Sequence, residues 1–150
     1  MPNLHPEQME TWKMNLLAVS EKHRLVVIAV RDKLHCYELD PFSAEIVVGS
    51  GGRPKIVDLK NDASDINNVR LVACADREFI VTVDFAAHVR MIYLDDLDKD
   101  PIKFTNEYAW AQDNSTWSVD GSSVPSLGLP PRVVVGSNAH SLTIFNLESG

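Results

Sequence analysis

Cysteine occurs only twice in this chain of 150 residues, at Cys36 and Cys74. Two are too few for a disulfide framework. Both sit in apolar runs, KLHCYEL and RLVACAD, and read as small buried hydrophobes in reduced form. An intracellular compartment is the expectation. Long hydrophobic runs are also missing. None approaches the roughly 20 residues that span a bilayer, so no membrane-spanning helix is read. The opening MPNLHPEQMETWKM has no basic stretch leading into an apolar one, so no secretory signal is read either. Basic residues are the minority charge, 14 Lys and Arg against 21 Asp and Glu, for a net charge of −7. Such a chain repels phosphate, which argues against direct nucleic-acid binding and against anionic membranes.

Glycine is sparse, seven residues. The richest stretch, GSGGRPK at residues 49–55, runs straight into Pro54 and a β-like segment. It lacks both GxGxxG and GK[ST], so it reads as a turn and not as a phosphate cradle. No GxSxG nucleophile elbow occurs. None of the five histidines stands at zinc spacing from another His or a Cys. Helical patterning is limited to Pro6 to Met14. No catalytic residue, cofactor or metal site is read, and the chain is read as non-enzymatic.

What remains is a globular mixture, 45% hydrophobic and 23% charged, of a size for one domain. Its strongest signal is periodic. Three segments, residues 15–40, 69–97 and 115–149, each read as strand, turn, strand, turn, strand. Their third strands, LHCYEL from Leu34, VRMIYL from Val89 and LTIFNL from Leu142, are offset by 55 and 53 residues. That spacing suits propeller blades with loop insertions. Cys36, Met91 and Ile144 fall at one position, Tyr37, Ile92 and Phe145 at the next, and Leu39, Leu94 and Leu147 at a third. Alternation along a strand makes equivalent positions point the same way in each unit. The middle strands, Leu25 to Val30, Phe79 to Val83 and Val133 to Val135, are continuous apolar runs, the pattern of burial on both faces. Fourth strands are read at AEIVVG (residues 44–49) and IKFT (residues 102–105), after the chain-breaking Asp40-Pro41 and Asp100-Pro101. The third unit shows none.

The expected fold is therefore all-β: a partial, open or incomplete β-propeller of about three antiparallel blades, each of three to four strands. It forms one domain over residues 1–150, with blade-like units 14–50, 66–106 and 114–150. Closed propellers need about four blades or more. Three leave two blade faces bare, so the chain reads as a piece of a longer protein, a truncated gene product, or a chain that closes by self-association through those faces.

Few residues suggest chemistry. From Asp96, carboxylates fall at positions 1, 3 and 5 (Asp96, Asp98, Asp100), with Glu107 at position 12, as in a calcium loop. Pro101 occupies the position that needs glycine, so the acidic stretch Asp95 to Asp100 reads as a solvated turn. Asp84 and Asp120 read as strand-end and tight-turn residues. His88 and His140, each after Ala, read as matching surface turn residues of the repeat. Trp12 and Trp117 read as blade packing. Tyr108 and Trp110 lie in the polar insertion NEYAWAQDNS. Two readings stand for them: anchors for a protein partner, or rings folded back onto the blade. A small autonomous β-domain with a calcium-binding or hydrolytic acidic loop is the alternative to an interaction scaffold.

The segments INNVRL (66–71), EFIVTVDFAAHVRMIYL (78–94), NSTWSVD (114–120) and PRVVVGSNAHSLTIFNL (131–147) carry a resemblance. Through them the chain resembles the fungal WD-repeat-like family of regulators of ribonucleotide reductase gene transcription, over about two-thirds of its length. Ser118 stands where the family has a glycine after its tryptophan. The resemblance implies that this chain corresponds to an N-terminal part of that family's propeller. It also implies a nuclear, or cytoplasmic, scaffold acting in transcription regulation and the DNA damage response. The partners it implies are transcriptional or cullin ubiquitin-ligase components. The family brings no catalytic residues.

Overall fold

The computed structural model describes residues 15–43, 46, 53–59, 64–74, 76–97, 99, 106–109, 115–124 and 127–146. The proposed helix at residues 6–14, and Trp12 with it, lie outside them. Three antiparallel meanders make up the fold, matching the expected partial propeller. The first sheet runs β1 (Leu17–Ser20), β2 (Leu25–Val30), β3 (Lys33–Glu38), β4 (Lys55–Asp58). The second runs β5 (Ile66–Cys74), β6 (Arg77–Asp84), β7 (His88–Tyr93), β8 (Asn106–Ala109), with a 3-10 turn, Leu94–Asp96, after β7. The third has three strands among the described residues: β9 (Thr116–Val124), β10 (Leu129–Ser137) and β11 (Leu142–Asn146). Among the described residues no helix is long and apolar enough to cross a membrane.

The fourth strands differ from expectation. In the first sheet β4 pairs Lys55 with Cys36 and Asp58 with Lys33. Of the expected strand at residues 44–49, only Ile46 is described, and it makes one isolated bridge to Leu39. Asp40 holds the turn after β3. Its carboxylate accepts the backbone N–H groups of Phe42 (2.8 Å) and Ser43 (2.9 Å). Those two N–H donors hold the Asp40 carboxyl below its ordinary range. The ionised form is favoured in the fold, so its stabilisation is present at neutral pH and lost as pH falls through the native value. A titration of Asp40 by NMR is expected to show the depressed value, and Phe42 and Ser43 amide protection declining with it. In the second sheet, residues 102–105 lie outside the described set. The strand that closes the sheet is β8, with Tyr108 opposite Val89, where a loop from residue 106 was expected. In the third sheet the hairpin of β9 and β10 reaches as far as Leu129 opposite Val124.

The repeat's alternation holds across all three sheets. Leu34 and Cys36 pack with Val27 and Ala29 into one core cluster against Val69, Ile80 and Ile92 of the second sheet. Val89 and Met91, their equivalents, pack with Val81 and Val83 into a second cluster against Val119, Val133 and Val135 of the third. Ile92 and Phe145 each face back toward the preceding sheet. Every sheet thus presents the first position of the repeat forward and the next position backward. The middle strands of the first two sheets are buried throughout their centres, Val26 to Ala29 and Phe79 to Asp84. In β10 the expectation fails, because Val134 faces away from the stack and is half-exposed while Val133 and Val135 are buried.

Adjacent sheets meet most closely through their first strands, so the blades fan outward from β1, β5 and β9. Backbone bonds tie the fan together: Val69 N–H donates to the Asn15 carbonyl (2.9 Å) and Ile66 N–H to the Arg31 carbonyl (2.7 Å). Gly121 marks the tightest approach. A Cβ there would stand 2.3 Å from a Val72 methyl carbon. Only a residue without a side chain lets β9 lie this near β5.

Candidate functional site

Two places gather polar side chains, and a third gathers apolar ones. The first is a buried junction at the end of β6. Asp84 lies in phase with Ile80 and Thr82, so alternation turns it inward. Its side chain is 3% exposed. One carboxylate oxygen accepts the backbone N–H of His88 (2.8 Å). The other meets Arg90 Nη1 (3.0 Å) and His88 Nδ1 (3.0 Å). Arg90 is 1% exposed. Thr116 Oγ donates to the Asp84 carbonyl (2.8 Å), Asn67 Nδ2 to the Thr116 carbonyl (2.7 Å), and Asn68 Nδ2 to the Trp117 carbonyl (3.1 Å). Phe85 and Trp117 stack edge to face at 5.1 Å, the packing role expected of Trp117.

Asp84 therefore closes a turn, as read from sequence, and it also anchors a network that joins the second and third sheets. Asp and His meet here, but the nearby hydroxyl of Thr116 is committed to a backbone carbonyl, which is a structural use and not that of a nucleophile. The reading of His88 is corrected. It is half-buried and bonded to Asp84, whereas His140 is an exposed turn residue with φ of 56°. In the register that aligns Val89 with Leu142, the equivalent of His140 is Ala87, and both adopt the left-handed conformation. The Ala-His match between the two turns is shifted by one residue.

The second place is a cleft of about 480 Å³ between the first and second sheets, lined by His23, Arg24, Glu38, Lys55, Leu94 and Leu97 among others. Lys55 Nζ donates to the Leu97 carbonyl (2.5 Å), fastening β4 to the turn after β7. Beside it His23 lies 3.9 Å from both Glu78 and Asp95. Arg77 pairs with Asp95 (3.4 Å) and stacks 3.5 Å above the Tyr93 ring. Pro41 also lines this cleft, and the neighbouring Phe42 is 97% exposed. The sequence reading did not single out this ring, which the turn capped by Asp40 holds in water. The only available signal was a Phe among turn residues in DPFS.

The described carboxylates of the acidic stretch are engaged by basic side chains. Asp95 is exposed and engaged by Arg77, and Asp96 is buried and pairs with Lys99 at 2.7 Å. Asp98 and Asp100 lie outside the described residues. Among the described residues no group of three or more His, Cys, Asp or Glu side chains is placed to hold a metal ion. Asp120 lies within β9 instead of at a strand end; it accepts the Gly121 N–H (2.9 Å) and pairs with Arg70 (3.4 Å). Of the two suggested anchors, Tyr108 is placed on β8, and Trp110 lies outside the described residues.

The third place is the outer face of the third sheet. Leu142 is 76% and Ile144 59% exposed there, at positions whose equivalents in the first two sheets are buried.

Comparison with known proteins agrees with the architecture. The chain is similar to a WD40 repeat-containing protein of Dictyostelium discoideum, 30% identical over 142 residues, covering 91% of this chain and 18% of that protein. It is also similar to an uncharacterized WD repeat-containing protein of Schizosaccharomyces pombe, 21% identical over 156 aligned positions, covering 97% of this chain and 30% of that protein. The chain thus spans less than a third of the length of either relative. No family model matches it. These relatives support a WD-repeat kinship, the coarser part of the resemblance seen in sequence.

Proposed function

We propose that the chain serves as a non-enzymatic protein-interaction scaffold of the WD-repeat kind. The observation that carries this reading is the stack itself. Three meanders spend their apolar faces on one another and use their buried polar groups to join sheets, which leaves rims, strand edges and an end face for partners. The WD-repeat names of both relatives support it. The finer reading rests on the sequence resemblance: a nuclear regulator of ribonucleotide reductase gene transcription, working beside transcriptional or cullin ubiquitin-ligase components. Tyr108, Trp110 and Phe42 are the proposed anchors, since large aromatics supply most of the energy at protein interfaces.

Co-precipitation from nuclear extract, probed for cullin and for transcriptional regulators, tests this. Phe42→Ala or Trp110→Ala is expected to weaken capture about tenfold, the loss of one interface anchor, with the melting curve unchanged. Capture of neither class, or capture indifferent to all three aromatics, overturns the finer reading. Micromolar calcium binding by isothermal titration would replace it with the calcium-binding alternative.

A further inference from the structure

The turn between β1 and β2 carries a histidine, and the second sheet sets a carboxylate against each of its ring nitrogens. His23 Nε2 lies 3.9 Å from Glu78 Oε2 of β6, and His23 Nδ1 lies 3.9 Å from Asp95 Oδ1 in the turn after β7. Neighbouring bonds fix the ring between them. His23 N–H donates to Ser20 Oγ (3.0 Å), and Ser20 Oγ donates to the Glu78 carboxylate. Lys22 Nζ donates to the Asp76 carbonyl. The turn is thus moored to the second sheet at Ser20 and Lys22, while the imidazole Nε2 is buried with no hydrogen-bond partner.

A neutral imidazole carries one N–H and one lone pair. Flanked by two carboxylates, it turns the lone pair toward one of them whichever tautomer it takes. An imidazolium carries N–H on both nitrogens, so it donates to Glu78 and Asp95 together once a small ring movement closes each gap to hydrogen-bond length. Charge-assisted bonds of this kind are roughly twice as strong as neutral ones. Imidazole changes charge between about pH 5 and 8, where carboxylates as a class stay ionised. The cations around the ring are already engaged. Arg77 of β6 pairs with Asp95 and stacks on Tyr93, Lys55 of β4 is held by the Leu97 carbonyl, Lys22 by the Asp76 carbonyl, and Lys99 by Asp96. Arg24, beside His23, shares the cleft with Glu38 of β3, and Glu21 is exposed on the same turn.

We infer that His23 is a proton-operated clasp between the first and second sheets: protonated, it bridges Glu78 and Asp95 and draws the two sheets together along the cleft; neutral, it lets them part. His23 lines that cleft of about 480 Å³, and so does Cys36. The Cys36 thiol, 5% exposed, therefore reports on opening. The clasp is independent of the partner anchors above, since none of its three side chains is among them.

Labelling of Cys36 by a pyridyl disulfide, read by peptide mass spectrometry so that Cys74 does not interfere, tests it. Comparing wild type with His23→Gln at one pH cancels the thiol's own pH dependence. At about pH 5.5 the wild type is expected to label about tenfold more slowly than His23→Gln, the value of one charge-assisted bond, and at about pH 8 the two rates are expected to agree within about twofold. Glu78→Gln, which keeps the shape and removes one charge, is expected to lose most of the protection at acidic pH. The ring nitrogens of His23 give a second reading by NMR that does not depend on the thiol: both N–H protons are expected to be protected from exchange with water at acidic pH. A wild-type to variant ratio equal at the two pH values, protection that Glu78→Gln leaves whole, or freely exchanging ring protons would each overturn the proposal. None of these readouts bears on cullin or transcriptional capture, so the two readings fail separately.

Discussion

Arg90→Ala is expected to cost the fold about 3–5 kcal/mol, the usual penalty for removing one partner of a buried ion pair. Arg90 is 1% and Asp84 3% exposed in their side chains, 3.0 Å apart. Without the guanidinium, Asp84 keeps its turn-closing bond to the His88 N–H, but its charge is left inside the protein without its closest neutralising group. The loss compares with a total stability of about 5–15 kcal/mol for a domain, so the variant is expected to melt far earlier or to lose cooperative unfolding. Arg132→Ala, on the open face, is the control and is expected to shift stability by less than about 0.5 kcal/mol. Urea unfolding followed by circular dichroism reads both. If Arg90→Ala matched the control, the junction would not be what joins the second sheet to its neighbours.

Gly121→Ala is expected to destabilise by about 1–3 kcal/mol through overpacking. The new methyl group would stand 2.3 and 2.6 Å from the two Val72 methyl carbons and 3.0 Å from Val72 Cβ. Valine is stiff at χ1 and 3% exposed here, so relief requires β5 and β9 to separate. Gly136 makes the contrast. A Cβ there would come within 2.4 Å of Ser118 Oγ, but Ser118 is an exposed side chain that can rotate away. Gly136→Ala is therefore expected to cost well under Gly121→Ala. Pairing Gly121→Ala with Val72→Ala should recover part of the loss, giving a coupling of about 0.5–3 kcal/mol in a double-mutant cycle. Additive costs would mean that the two residues do not meet.

Much of the site was hidden from sequence for a common reason. His88 and His140 share a local Ala-His context, and local context treats them alike. His88 is bonded to Asp84, the carboxylate that also meets Arg90, whereas His140 is exposed in its turn. The strand that pairs with β3 is Lys55–Asp58, whereas strand propensity pointed to EIVV; which segment takes a sheet edge is a long-range outcome that local propensity does not set. Phe42 could be seen as a residue but not as an exposed ring.

Period-two patterning and the 53- to 55-residue spacing by themselves determined three β-meanders and which residues of each share a face, since alternation is a property of a single strand. Cys36, Met91 and Ile144 were aligned on that ground, and all three point forward along the stack. Only the tertiary structure decided that the first two are buried at 5% and 1% exposure while the third is bare at 59%. It also decided that Gly121 must yield space to Val72, and that Asp84 takes Arg90 into the interior. Those outcomes depend on which sheet lies next to which, and contacts between sheets join residues some 50 positions apart, as Arg70 and Asp120 are, beyond the reach of any local pattern.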